Sequence, residues 1–189
     1  MAVESPATAL GAAAPQFTLR GTDGRMHSLH ELRGARGTLV AFICNHCPYM
    51  QAALLHLLRD ARELAPLGGN VIAINPNDAE AYPEDSYARM VEAARDWPFP
   101  YLHDETQQVA RAYGAVCTPD FFGYDAALRL RYRGRLDDQR KSPRDAGRKQ
   151  PLDDAPRELF EAMQRIASGQ LPLPRQYPAM GCSIKWRMA

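Results

Sequence analysis

Two cysteines separated by two residues are the clearest chemical feature of the sequence. Cys44 and Cys47 enclose Asn45 and His46 in the tetrapeptide CNHC. In a chain with only four cysteines, such a pair is typical of thiol–disulfide exchange or of metal binding. In exchange, one thiolate attacks a substrate disulfide and the second thiol resolves the mixed disulfide, without a separate cofactor.

The pair lies where a buried strand is followed by an amphipathic helix. The run from Thr38 to Cys44 is apolar and rich in β-branched residues, and apolar residues recur at helical spacing from Met50 to Ala65. Free N–H groups at a helix start stabilise a thiolate. We therefore expect Cys44 to be the nucleophile, with a pKa below the free value of about 8.5, and Cys47 to resolve the mixed disulfide.

His46 lies between the two sulfurs in sequence and is a candidate catalytic residue. A cationic imidazole beside the Cys44 thiolate would lower the pKa of that thiol further and make the disulfide more oxidising. The alternative is an exposed histidine without effect on the thiols.

Two other interpretations of the CxxC pair remain open. It is also typical of half a structural zinc site, which takes four ligands. Cys117 and Cys182 do not form a second close pair in the sequence, but they and His46 could converge in space. The other interpretation is that Cys44 and Cys47 are two unrelated buried thiols.

The remaining patterns predict an α/β fold. A second buried strand from Val71 to Asn75 completes a strand–helix–strand unit, which makes the two strands parallel. Hairpins are predicted around Asp23-Gly24 and Asp125-Ala126, and a last helix over 156–167. We expect one domain over 1–189, with 1–14 as a loose arm, the charged segment 133–150 as a solvated loop, and 169–189 as an extended tail.

The order strand–CxxC–helix–strand, followed by Thr118-Pro119 and a hairpin, resembles the thioredoxin fold. The segment APQFTLRGTDGRMHSLHELRG is similar to the start of the redoxin branch, the alkyl hydroperoxide reductase/thiol-specific antioxidant superfamily. The segments FICNHCPYM, GAVCTPDFFGYD, YRGRLDD and GCSIKW resemble a peroxiredoxin-like CxxC family of small thioredoxin-fold proteins. This resemblance extends from about Pro15 to Trp186 and implies a thioredoxin-like fold with a central mixed sheet flanked by helices.

The resemblance also gives roles to the residues around Pro119. It implies that Pro119 is a cis-proline packed against the CxxC pair, and that Thr118 helps to bind the substrate chain. Cys117 would then lie near Cys44, either as an accessory thiol or as a small buried apolar residue. Cys182 in the tail is the second candidate accessory thiol, although we favour an inert anchoring role for it.

A thiol peroxidase is the main alternative function. Peroxiredoxins use a Pro-x-x-x-Thr-x-x-Cys frame, and neither cysteine fits it. With Cys47 as the reactive residue, the Pro and Thr positions hold Val40 and Cys44, and with Cys44 they hold Gly37 and Ala41. Efficient peroxide reduction is therefore disfavoured. A non-enzymatic module that binds a metal or a partner is the third hypothesis.

The composition and hydropathy of the chain limit the classes of binding partner that we expect. The 189 residues carry a net charge of +1, which gives no general reason to expect binding to nucleic acid or to an anionic membrane surface. No apolar run reaches the roughly 18 residues that cross a bilayer, and the N-terminus lacks the pattern of a signal peptide. We expect a cytoplasmic enzyme that acts on a disulfide-containing protein or a small-molecule thiol and needs an unidentified reductant.

Overall fold

The structure is a computed structural model, and it describes residues 2–6, 9–137 and 156–188. The strands are β1 (Ala2–Glu4), β2 (Thr18–Gly21), β3 (Met26–Ser28), β4 (Gly37–Phe42), β5 (Gly69–Asn75), β6 (Tyr101–His103), β7 (Cys117–Thr118), β8 (Asp120–Asp125), β9 (Leu130–Gly134) and β10 (Met180–Ser183). The α-helices are α1 (Leu29–Leu32), α2 (Pro48–Leu64), α3 (Tyr87–Ala93), α4 (Gln108–Tyr113) and α5 (Glu158–Ala167).

Strand β4 lies inside a seven-stranded mixed sheet with the order β3-β2-β6-β5-β4-β8-β9. It pairs in parallel with β5 on one side and antiparallel with β8 on the other. The two predicted hairpins are present as β2–β3 and β8–β9. The predicted α/β class, with a central mixed sheet flanked by helices, is confirmed.

Both faces of β4 are buried, as its unbroken apolar sequence predicts. Leu39 and Ala41 contact one core, which also contains residues of α2 and α5, while Val40 and Phe42 contact the core on the opposite face. Helix α2 turns its predicted apolar stripe toward the first core through Met50, Ala53, Leu57, Ala61 and Leu64. The segment that follows β4 therefore leaves from a rigid part of the molecule.

The junction between β4 and α2 differs from the sequence prediction. The strand ends at Phe42 rather than at Cys44, and the helix begins at Pro48. A loop of residues 43–47 separates them, so that Cys47, not Cys44, is the N-cap residue of α2. Apolar periodicity could not locate this boundary, because the residues on both sides of it are buried.

The chain ends also differ from expectation. The segment expected to be a loose arm contributes β1, and the expected extended tail contributes β10. These two strands and β7 form a second sheet with the order β1-β10-β7, antiparallel throughout. Ser5 and Ala179 add two hydrogen bonds between the ends, of 2.9 and 3.0 Å. The tail is therefore held against β7, beside Pro119.

The charged segment after β9 is described only as far as Asp137, and residues 138–150 of the expected solvated loop lie outside the described residues. Arg133 does not belong to such a loop. It lies in β9, is 8 % exposed, and its guanidinium is 3.0 Å from the buried carboxylate of Asp120. Among the described residues, no helix is long and apolar enough to cross a membrane.

Candidate active site

The two CxxC cysteines are buried at the end of the loop that precedes α2. Cys44 is 3 % exposed and Cys47 is 0 % exposed. Cys47 is the N-cap residue of α2, and the backbone of Met50 in the first turn helps to lower the pKa of its thiol. The helix start thus contacts the second cysteine of the motif directly.

Thr118 lies against both cysteines, and the peptide bond between Thr118 and Pro119 is cis, as the resemblance to the thioredoxin fold implies. The Thr118 hydroxyl oxygen is 3.0 Å from Cys44 Sγ. The Thr118 carbonyl oxygen is 3.6 Å from Cys47 Sγ. A single residue before the proline therefore contacts both sulfurs.

The two thiols differ sharply in acidity, in the opposite order to the one expected. Interaction with the Cys47 sulfur raises the pKa of Cys44, and burial and the Asp85 carboxylate raise it further. Interaction with Cys44 lowers the pKa of Cys47 to about 5, with further contributions from Cys182 and from the backbone of Met50, although burial of the sulfur opposes them. The prediction of a lowered pKa at Cys44 is wrong, because the Cys47 sulfur, burial and the Asp85 carboxylate all raise it, and the helix begins only after Cys47.

His46 faces a carboxylate that the sequence analysis missed. Its Nδ1 is 2.5 Å from Asp85 Oδ2, and its ring stacks on Tyr82 with 5.3 Å between centroids. Asp85 is fully buried and accepts hydrogen bonds of 2.7 Å from the Asn45 backbone N–H and from the Asn77 side-chain amide. These donors support a carboxylate charge near Cys44. Asp85 lies in the segment directly before α3, and nothing in the sequence linked it to the cysteines.

Asn45 fixes the loop between the two cysteines from several sides. Its side-chain amide donates to the Glu84 carbonyl oxygen at 3.0 Å, and its Oδ1 accepts from the Tyr101 hydroxyl at 3.0 Å. The Asn45 carbonyl accepts from the Gln51 side chain at 3.0 Å. The middle of the motif is therefore tied to β6, to α2 and to the segment before α3.

The two remaining cysteines lie in very different places. Cys182 Sγ is 2.8 Å from Cys47 Sγ. The Cys182 thiol is partly exposed, and burial and the Cys47 sulfur raise its pKa to about 11. Cys117 Sγ donates to the Pro119 carbonyl oxygen at 3.5 Å, and burial raises the pKa of its fully buried thiol strongly.

Three groups at the site have the chemistry of metal ligands. One ligand atom each from Cys44, His46 and Asp85 lies within 4.8 Å of the other two. Thiolate, imidazole and carboxylate are the ligand types that zinc takes. In the present arrangement His46 Nδ1 contacts the Asp85 carboxylate and Cys44 Sγ contacts the Thr118 hydroxyl, so a metal would have to replace these contacts.

Comparison with known proteins identifies the family. A family model described as the AhpC/TSA family matches residues 10–134. The chain belongs to the AhpC/TSA family. The family is therefore one of thioredoxin-fold redoxins, as the sequence resemblance implies.

Individual relatives agree with this family and fold. The chain is 41 % identical to an uncharacterized conserved protein from Geobacillus kaustophilus, with a TM-score of 0.90 over 100 % of this chain and 98 % of that one. It is 29 % identical to the thiol-disulfide oxidoreductase ResA of Geobacillus thermodenitrificans over 126 residues, which are 65 % of this chain and 67 % of ResA. The thioredoxin domain of a thiol-disulfide oxidoreductase from Bacteroides vulgatus shares the fold, with a TM-score of 0.53, 21 % identity and coverage of 66 % and 86 %.

Proposed function

We propose that this redoxin is a thiol–disulfide oxidoreductase in which Cys44 and Cys47 cycle between a dithiol and a disulfide. The observation that carries the proposal is that both sulfurs are buried against one residue, Thr118, which contacts Cys44 Sγ through its hydroxyl and Cys47 Sγ through its carbonyl oxygen and so holds the two thiols as a pair. The similarity to ResA, named a thiol-disulfide oxidoreductase, supports the same chemistry. Disulfide exchange needs one thiolate and a second thiol within reach, and the pair supplies both.

The pair divides the two steps of exchange between its members. Cys44 is slightly more exposed than Cys47, and Cys182 lies against Cys47. We assign the attack on the substrate disulfide to Cys44, whose proton passes to the neighbouring Cys47 thiolate. The Cys47 thiol then resolves the mixed disulfide, which releases the reduced substrate and leaves a Cys44–Cys47 disulfide.

Neighbouring groups support this division of roles. The Thr118 hydroxyl, 3.0 Å from Cys44 Sγ, stabilises the charge that develops on that sulfur during attack. His46 acts on the Cys44 thiol through its contact with the Asp85 carboxylate, whose charge disfavours a Cys44 thiolate. In this proposal Pro119 shapes the groove for a protein or small-molecule disulfide, an external reductant restores the dithiol, and the enzyme is cytoplasmic.

Trapping of the mixed disulfide tests the roles of the two cysteines. The Cys47→Ser variant should accumulate a covalent complex through Cys44 when it is mixed with a disulfide-bonded protein substrate. The Cys44→Ser variant should accumulate none through Cys47. Non-reducing electrophoresis with mass spectrometry of the linked peptides measures both outcomes. Unimpaired substrate reduction by a Cys44→Ser/Cys47→Ser double variant would refute the function itself.

A thiol peroxidase is the second candidate. The AhpC/TSA family takes its name in part from alkyl hydroperoxide reductases, and the Thr118 hydroxyl contacts Cys44 Sγ. A peroxidase should form a sulfenic acid rapidly at Cys44 or Cys47 with low peroxide. Oxidation at the rate of an ordinary free thiol would remove this candidate.

A further inference from the structure

The C-terminal strand β10 brings a third sulfur to the pair. In the antiparallel register, Cys182 lies opposite Thr118 of β7 on one side and opposite Ala2 of β1 on the other. Its Sγ is 2.8 Å from Cys47 Sγ, which is within a small movement of the disulfide bond length of about 2.05 Å. Three sulfurs thus form one cluster with Cys47 in contact with both others.

The backbone is built for this close approach. Gly181 packs directly on the Thr118 carbonyl and the Pro119 nitrogen, where the Cβ of any other residue would collide with the main chain. The Ile184 N–H donates to the Val116 carbonyl at 3.0 Å and fixes the strand beyond Cys182. The position of Cys182 therefore follows from main-chain pairing on both sides rather than from a flexible side chain.

We propose that Cys182 is a third redox cysteine, which takes the disulfide from the CxxC pair by attacking Cys47. This inference rests on the proposed function, because the starting state is the Cys44–Cys47 disulfide. The Cys182 thiol loses its proton and its sulfur bonds to Cys47 Sγ, while the Cys44–Cys47 bond breaks and Cys44 leaves as a thiolate that takes up the proton. The step exchanges one disulfide for another, so it needs no further oxidant or reductant.

The surroundings of Cys182 change in favour of this step when the pair is oxidised. In the dithiol state, burial and the Cys47 sulfur raise the pKa of Cys182 to about 11. A Cys47 in a disulfide carries no charge, so one of these two causes is gone, while the positive charge of Lys185 still lowers the pKa. The pKa of Cys182 is therefore lower when the pair is oxidised, which is the state in which the proposed step begins.

The exchange has a consequence for the reaction cycle. It returns Cys44 to the thiol state while the disulfide is held between the start of α2 and β10. Cys182 is the one described cysteine that is partly exposed, whereas Cys44, Cys47 and Cys117 are buried. An external reductant therefore meets the disulfide at Cys182 rather than at the Cys44 side of the pair.

Tryptic peptides distinguish the two disulfides directly. Cleavage after Arg36 and Arg59 keeps Cys44 and Cys47 in one peptide, 37–59, whereas Cys182 lies in peptide 176–185. A Cys44–Cys47 disulfide is therefore internal to one peptide, and a Cys47–Cys182 disulfide joins two. Cys117 lies in a third peptide, 112–129, so that the Cys117→Ala variant is a matched control that leaves both disulfides possible.

The experiment oxidises wild-type protein and single variants with glutathione disulfide, alkylates free thiols and maps the peptides. We expect both disulfides in the wild type and in Cys117→Ala, only the internal one in Cys182→Ser, and the cross-linked pair as the main product in Cys44→Ser. Glutathione on Cys47 with free Cys182 in Cys44→Ser would overturn the inference. A Cys47–Cys182 cross-link that forms in Cys44→Ser but never in the wild type would also overturn the inference. It would show that Cys182 reaches Cys47 without exchanging with the Cys44–Cys47 disulfide. Absence of the internal disulfide from both wild type and Cys182→Ser would instead refute the proposed function.

Discussion

Cys117 and Cys182 are both isolated cysteines in the sequence, and the structure gives them opposite surroundings. Cys117 directly precedes Thr118, yet its thiol is fully buried and donates a hydrogen bond to the Pro119 carbonyl oxygen. Cys182 lies far along the chain and reaches Cys47. The reason is the pleat of paired strands, in which successive side chains point to opposite faces. Closeness in sequence to a functional residue therefore does not decide which cysteine joins the site.

The largest expected contrast is in turnover. Cys47→Ser should reduce catalysed disulfide exchange to the uncatalysed rate, because one member of the redox pair is lost. Cys117→Ala should keep the wild-type rate, because its sulfur has no part in the proposed pair. Steady-state reduction of a disulfide substrate with a dithiol reductant measures both. A large loss of rate in Cys117→Ala, in protein that is still folded, would contradict the contrast.

The second contrast is in acidity. A thiolate of the reduced protein should form with a midpoint near pH 5, since the pKa of Cys47 is lowered to about 5. Ultraviolet absorbance of the thiolate measures it, and the transition should persist in Cys117→Ala and vanish in Cys47→Ser. Because the folded pKa lies below the unfolded value of about 8.5, the thiolate adds stability as pH rises from about 5 to 8.5. That added stability is lost as pH falls through 5.

The third contrast is between the carboxylates that lie near Cys44 and near Cys117. Asp85 raises the pKa of Cys44 and Asp120 raises that of Cys117. Asp85→Asn should stabilise the reduced pair as a thiolate and make the redox midpoint less negative, by about 30 mV for a tenfold effect on the exchange equilibrium. Asp120→Asn is the matched control and should leave the midpoint unchanged. Equal midpoints in wild type and Asp85→Asn would show that Asp85 does not tune the pair.

The smallest expected contrast is in stability. Cys117→Ala removes a fully buried sulfur and should cost about 1–2 kcal/mol through the cavity that remains. Cys182→Ala removes a partly exposed sulfur and should cost less, about 0.5 kcal/mol. Urea unfolding of the fully reduced proteins measures both free energies. The reverse order of the two costs would mean that Cys182 has a packing role larger than its burial indicates.

The sequence was sufficient for the α/β order and the mixed sheet because those elements carry local signals. Both hairpins have turn residues between alternating runs, and α2 has a long apolar stripe between Pro48 and Leu64. The loop between β4 and α2 has no such signal, since the residues on both sides of it are buried. The loop places the helix N-cap at Cys47 rather than at Cys44, and the interaction between the two thiols is the main cause that lowers the pKa of Cys47 and raises that of Cys44.

What the sequence determined by itself is the set of reactive groups and the local order of elements: a CxxC motif between a strand and a helix, with Thr118-Pro119 further along. What only the tertiary structure decided is which groups meet there. Asp85 reaches His46 from the segment before α3, and Cys182 reaches Cys47 through β10. The physical reason is that both contacts depend on pairing and packing between distant segments. No local pattern of charge or hydropathy encodes those contacts.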